Sequence, residues 1–245
     1  MELSLLEKKN VFETYQEISS FFDNTRGYIW PSVKDFLKDI PKESKILDAG
    51  CGNGKNMMLK EDLLREKLPQ FYAFDISDNL LDIANKKVNN YYKKVGYDNI
   101  PKFYKANIIN IPENDNTFDF VISIAVIHHL DNFDKRVQAI LECLRVLKSG
   151  GKFMFQIWSF EQKDTNFKFE RGDNMVPWKI RKRDVDKNVK GKEKNEIVKI
   201  VNRYYFISNY QDICLLINKC LSHGTSNLIK MYNEMGNWII IFEKK

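Results

Sequence analysis

The sequence predicts an α/β domain in which short strands and amphipathic helices alternate around a mostly parallel sheet. Three observations predict it. Strand-like and helix-like apolar periodicities alternate from Lys45 to Trp158. The first strand-like run leads into a glycine-rich turn, Gly50-x-Gly52-x-Gly54. The chain has 245 residues, 43% of them hydrophobic, enough to bury one core and too apolar for wholesale disorder.

The N-terminal segment predicts a helix over about Leu5–Phe22, because Val11, Tyr15, Ile18, Phe21 and Phe22 recur at helical spacing. Pro31 opens a second helix with Val33, Phe36, Leu37 and Ile40 on its apolar face, and Pro41 stops it. These first 43 residues are expected to cap the site. Strands follow at Lys45–Asp48, Phe71–Asp75, Lys102–Ala106, Phe118–Ser123 and Lys152–Trp158. Helices lie between them at about Asp78–Lys94 and Asp134–Leu147, the latter closed by Ser149-Gly150-Gly151. From about Glu161 to Lys199 the pattern breaks into a charged stretch, KIRKRDVDKNVKGKEKNE at its core, expected to be an inserted, mobile loop. A helix over Tyr210–Leu221 and two strands, Ser226–Tyr232 and Trp238–Phe242, separated by a tight NEMGN turn, complete a single domain over 1–245.

No apolar run approaches the roughly 20 residues of a membrane helix, and MELSLLEKKN lacks the apolar stretch of a secretion signal. The expected location is the cytoplasm, with a nuclear pool allowed, and no membrane partner. Cys51, Cys143, Cys214 and Cys220 have neither CxxC spacing nor a nearby histidine pair, so four buried thiols are expected and no metal site. The net charge of +6 permits a polyanionic partner without demanding one.

The glycine turn alone fits any nucleotide-type cofactor. The acid before it, Asp48, would repel a pyrophosphate and attract the α-amino group of a methionine moiety. Asp75 ends the next strand, where a carboxylate accepts both hydroxyls of an adenosine ribose. Asn107 follows the third strand, where an amide pairs with an adenine edge. Together these select S-adenosylmethionine. Gly50, Gly52 and Gly54, Asp48 and Asp75, Ile76, Asn107, Ile108 and Ser123 form the candidate cofactor set.

FDFVISIAVIHHLD followed by LRVLKSGGKF resembles the post-loop motifs of class I methyltransferases. That likeness implies a Rossmann-like fold whose seven-stranded, mostly parallel sheet is flanked by helices and ends in an antiparallel last strand. TRGYIWPSVKDFL, DAGCGNGKN, SIAVIHHL, WSFEQ, NMVPWK and NRYYF are similar to the eukaryotic tRNA wobble-uridine carboxymethyl methyltransferases and to the methyltransferase half of the AlkB-homologue tRNA hydroxylases. The resemblance covers nearly the whole chain. It implies methyl esterification of 5-carboxymethyluridine at tRNA position 34, with the anticodon stem-loop bound, and a small zinc-binding activator protein as partner. Asn107 replaces a common Asp of that pattern, and Phe206 replaces a His.

By that resemblance Arg26, His128 and Arg203 are the candidate catalytic residues, the arginines orienting a carboxylate. Trp30, His129 and Trp158 are candidates for the base pocket, although both tryptophans read equally well as core residues and one of the histidines as structural. Arg181, Lys182 and Arg183, with Lys187, Lys190, Lys192 and Lys194 beyond, either track RNA phosphates or form a solvated face. The third strand is expected at a sheet edge, where Lys102–Ala106 is apolar enough to pair with the activator. A small-molecule (quinone- or sterol-like) methyltransferase and a non-catalytic binding subunit of the same fold are the rival readings.

Overall fold

The computed structural model describes residues 3–245 apart from 26, 39, 42, 60–68, 163–168 and 187–188. Among the described residues, nine strands and seven α-helices run in the order α1 (Leu5–Glu7), α2 (Thr14–Asn24), α3 (Pro31–Leu37), β1 (Lys45–Ala49), β2 (Gln70–Asp75), α4 (Asp78–Val95), β3 (Lys102–Lys105), β4 (Phe118–Ile124), α5 (Phe133–Val146), β5 (Leu147–Trp158), β6 (Gly172–Arg181), α6 (Lys182–Val185), β7 (Ile197–Ile207), α7 (Tyr210–Leu221), β8 (Ser226–Glu234) and β9 (Asn237–Lys244).

Seven strands form one sheet in the order β3-β2-β1-β4-β5-β9-β8. The pairs from β3 to β5 are parallel. The last strand, β9, runs antiparallel between β5 and β8, as expected. The β8–β9 hairpin turns through Met235 and Gly236, both at positive φ (48° and 75°), the signature of a two-residue turn whose twist suits the flanking strands. Two apolar clusters cover the sheet. One packs Phe153, Phe155 and Phe242 against α5 and α7, and the other packs Met154 and Ile239 with Val33, Ala84 and Val88 from α3 and α4.

Polar caps set the helix starts. Ser77 Oγ accepts from Leu80 N–H at the head of α4, Asn132 Oδ1 from Lys135 N–H at α5, and Asn209 Oδ1 from Asp212 N–H at α7. Pro31 is the first residue of α3 and Gly96, at φ +75°, ends α4. Helix α5 stops at Val146, whose successor Leu147 is already extended, so Ser149-Gly150-Gly151 does not cap it. These residues instead form an irregularity inside β5: Phe118 pairs with Leu147, but Phe120 pairs with Lys152. The glycine signal marked a break in strand register, with Gly150 at φ +75°.

The charged stretch is the main correction. Residues 172–181 and 197–207 pair as an antiparallel hairpin, a second sheet of its own. It is packed down: Ile180, Trp178 and Val201 meet Tyr15, Ile18 and Phe22 of α2, and Lys199 pairs with Glu17. Its charges alternate with the apolar residues that anchor it, and the charge run obscured that alternation. The N-terminal helical segment continues through a π-helical turn at Lys8–Glu13 between α1 and α2. It is pinned at both ends. Glu7 is buried and takes hydrogen bonds from Lys135 Nζ (2.7 Å) and Asp131 N–H (3.1 Å). Gln16 Oε1 accepts from Ser77 Oγ (2.6 Å) and Asn79 N–H (3.0 Å), which fastens α2 to the start of α4.

Candidate active site

A cavity of about 460 Å³ opens at the C-terminal ends of β1, β2, β4 and β5, beneath the N-terminal helical segment. This is where a parallel α/β sheet places its ligands. Gly50, Cys51, Gly52 and Asn53 line one wall, Asp75 and Ile76 another, with Asn107 and Ile108 after β3. Asp75 is buried, and each carboxylate oxygen accepts one backbone N–H, Oδ2 from Gly52 (2.8 Å) and Oδ1 from Ser77 (2.9 Å). Burial raises its pKa, and those backbone donors pull against the rise. Each oxygen retains a lone pair for a ligand hydroxyl, which is the capacity a ribose diol requires. Val11, Leu80, Ile76, Ile108 and Leu130 give the same end an apolar slot.

The three glycines serve different ends. Gly50 sits at φ +81°, and a Cβ there would lie 2.4 Å from Val126 Cγ2. Gly54 sits at φ +74°, with a Cβ position 2.7 Å from Val88 Cγ2 of α4, so it allows helix and loop to approach and does not line the cavity. Asp48 likewise lies behind the loop, fully buried, with Oδ2 accepting from Asn56 Nδ2 (3.3 Å). Burial, with the nearby Asp75 charge adding to it, pushes its carboxyl up to about 7. Asp48 does not line the cavity: its side chain lies beneath the loop, with Oδ1 buried and without a hydrogen-bond partner among the described residues. Ser123 is also behind the wall, its Oγ donating to Ala49 O (3.0 Å).

At the other end of the cavity stand Trp30, His129, Trp158 and Tyr205. Trp158 stacks on Tyr205 with centroids 4.3 Å apart and planes 17° apart. His129 Nδ1 lies 2.7 Å from Tyr204 O, an atom that can only accept, so Nδ1 carries the proton and Nε2 is an acceptor. The rest of the chain of bonds is thereby directed. Arg203 Nη1 donates to Tyr205 OH (2.7 Å), Tyr205 OH to Tyr15 OH (3.1 Å), and Tyr15 OH to His129 Nε2 (3.1 Å). Burial holds the imidazole neutral, with its pKa driven down to about 3.

His128 sits behind His129, fully buried and outside the cavity wall. Its Nδ1 accepts from Trp158 N–H (3.1 Å), which makes it the structural member of the pair. Arg203 is buried, does not line the cavity itself, and donates to Tyr205, which does. Arg26 and Lys187 lie outside the described residues. Arg181, Lys182 and Arg183 do not line the cavity. Lys182 pairs with Glu193 (3.4 Å) and Glu196 (3.3 Å), and Arg183 donates to Asn195 (3.2 Å). Among the described residues no group of three metal-ligating side chains exists. All four cysteines are free; three are buried and Cys214 is half-buried.

Tyr15, Tyr205, Gln156 and Asn237 were given no role in the sequence reading. Tyr15 read as one more apolar helix position. Strand alternation turns Tyr205 to the cavity, whereas Phe206 lies under the Arg136 guanidinium, 3.7 Å from its ring centroid, so the replaced histidine position does not face the site. The one available signal was a lone glutamine in the apolar strand FMFQIW.

Residues 47–155 match the methyltransferase domain family. In fold the chain superposes on a Clostridium acetobutylicum S-adenosylmethionine-dependent methyltransferase with TM-score 0.62, at 18% identity, covering 94% of this chain and 99% of that one. A Haloferax volcanii methyltransferase solved in complex with the Trm112 methyltransferase activator superposes with TM-score 0.59 at 11% identity, covering 98% and 97%. Sheet order, glycine turn and the buried acid after β2, with the family match, thus define a class I S-adenosylmethionine-dependent methyltransferase. The chain is 31% identical, over 97% of both proteins, to the Schizosaccharomyces pombe tRNA (carboxymethyluridine(34)-5-O)-methyltransferase. It belongs to that family. It spans less than half the length of several other curated relatives it matches.

Proposed function

We propose that this chain transfers the methyl group of S-adenosylmethionine to the carboxylate of 5-carboxymethyluridine at the wobble position of tRNA, giving the methyl ester. Family membership supplies the acceptor. One observation carries the chemistry: the histidine at the acceptor end is neutral, with both ring nitrogens engaged. A phenol or amine acceptor needs a base to take its proton. A carboxylic acid with a pKa near ~4 is already anionic at neutral pH and needs none. This weighs against a phenol-directed small-molecule enzyme.

When bound, the cofactor supplies a methyl group on a cationic sulfonium. Asp75 would hold its ribose, Asn107, Ile76 and Ile108 its adenine, and the Gly50–Gly52 backbone its amino-acid end. The chain's own residues then position the acceptor and exclude water. Trp30, Trp158 and Tyr205 wall the acceptor end, and Arg203, through Tyr205, orients the phenol facing it. Charge disappears when a carboxylate attacks a sulfonium, so removing water from both is favourable, and alignment contributes the rest.

RNA phosphates would meet the β6–β7 hairpin, where Lys190, Lys192 and Lys194 are exposed or half-exposed. The activator would pair with β3, whose free edge ends the sheet; a protein of similar fold was solved in complex with a methyltransferase activator. Phe103 and Tyr104 are half-buried against the two core clusters, so the unpaired backbone edge, rather than an apolar strip, is what a partner strand would use. The reaction belongs in the cytoplasm, where its substrate is. The test is nucleoside mass spectrometry of tRNA incubated with labelled methyl donor, with and without the activator. Label in the wobble uridine is expected; its absence from both samples overturns the assignment.

A further inference from the structure

Strand alternation places Met154, Gln156 and Trp158 of β5 on one face. Met154 lies in an apolar cluster, and Trp158 stacks on Tyr205. Between them Gln156 is 1% exposed and lines the cavity, yet neither Oε1 nor Nε2 has a hydrogen-bond partner among the described residues. A buried amide in that state is disfavoured until something in the cavity satisfies it.

The neighbouring strand supplies a second such group. Gln156 pairs with Ile239 and Trp158 with Asn237, so Asn237 stands on the same face as Gln156, one diagonal step away. Asn237 is 4% exposed. Its Nδ2 donates to Met235 O (3.0 Å) and Glu234 O (3.3 Å), which fixes the amide and leaves Oδ1 as an unpartnered acceptor in the cavity wall. An apolar and aromatic wall thus carries one fixed acceptor and one adjacent donor–acceptor pair.

We propose that Gln156, assisted by Asn237, determines specificity for the acceptor base by pairing with the imide edge of a uracil-type ring. Gln156 Oε1 accepts the ring N3–H, Nε2 donates to a flanking ring carbonyl, and Asn237 Oδ1 takes a further donor such as a ribose hydroxyl. A cytosine-type ring has no N3–H and would face Oε1 with a lone pair. The two amides select the base and take no part in methyl transfer. This inference rests on the proposed RNA substrate, whose failure is visible in the unaltered protein.

The experiment uses the full chain with S-adenosylhomocysteine and an anticodon stem-loop RNA carrying 5-carboxymethyluridine, against the same RNA methylated at N3 of that base. Binding is read by fluorescence anisotropy and turnover with the methyl donor. The unaltered protein is expected to bind the N3-methylated RNA about tenfold or more weakly, the worth of a buried hydrogen bond. Gln156→Met, which keeps length without polarity, is expected to bind the parent RNA roughly tenfold more weakly and to discriminate little between the two RNAs. Gln156→Glu, which keeps the shape and the acceptor but removes the donor, is expected to bind the parent RNA more weakly yet still to disfavour the N3-methylated RNA. Cofactor affinity by calorimetry is expected to be unchanged in both. Discrimination by Gln156→Met equal to that of the unaltered protein overturns the inference, as does a loss of cofactor affinity, which would assign Gln156 to the donor. No methylation of the parent RNA by the unaltered protein overturns the substrate assignment itself.

Discussion

The two acids read from the sequence as a pair have separate roles. Asp75 faces the cavity, and Asp48 lies under the loop with its carboxyl raised to about 7, chiefly by burial. In the unfolded chain Asp48 titrates near the ordinary aspartate value of 3.8, so between about 4 and 7 the folded state binds the extra proton. Stability therefore falls as pH rises through that window. Asp48→Asn removes this term while keeping a side-chain partner for Asn56. Its melting temperature is expected to vary less between pH 5 and 8 than that of the unaltered chain. At pH 8 the variant is expected to be the more stable, by at most about 4 kcal/mol. A variant less stable at pH 8 would show that Asp48 is needed as a carboxylate. His129 illustrates the same limit on sequence reading. Its position after a buried strand was visible, but its fixed tautomer comes from Tyr204 and Tyr15, 75 and 114 residues away.

At the scale of elements, the glycine turn was legible because positive φ and close approach leave few alternatives to glycine. Which glycine meets which neighbour was not. Gly50→Ala would place a methyl against Val126, so it is expected to abolish cofactor binding by calorimetry, and Val126→Ala in the same chain is expected to restore part of it. At Gly52 the nearest atom to an added Cβ is Phe22 Cε1 at 3.7 Å, leaving the backbone strain of φ +54° as the main cost, about 1 kcal/mol. Recovery by Val126→Ala in Gly50→Ala but not in Gly52→Ala is the expected pattern; no recovery in either would remove the steric account. The β6–β7 hairpin was missed for a reason of the same kind. Its basic residues fall on both sides, Lys199 and Arg203 sharing the face of Val201, and its apolar residues have meaning only against α2, far earlier in the chain.

For the whole molecule, the exposed edge of β3 and the exposed hairpin belong to different sheets and lead to separable tests. Reversing Lys190, Lys192 and Lys194 to Glu is expected to weaken RNA binding several-fold at low salt and to flatten its salt dependence, while cofactor affinity stays the same. Unaltered RNA affinity and salt slope would assign that run to solvent, the reading favoured for Lys182 by its pairing with Glu193 and Glu196.

The alternating α/β order, the glycine turn and an acid at the end of the second strand were legible in the sequence by itself, because they follow from local periodicity or from backbone conformations that a few residue types allow. The edge position of β3 and the antiparallel last strand were expected from the resemblance to class I methyltransferases, and the sheet order agrees with both. Only the tertiary structure decided that Asp48 and Gly54 lie behind the loop, that Tyr15 and Tyr205 join the cavity wall, and that Gln156 and Asn237 face the cavity unsatisfied. Those roles depend on which side chains from distant segments meet, and hydrogen-bond direction and burial are properties of that meeting.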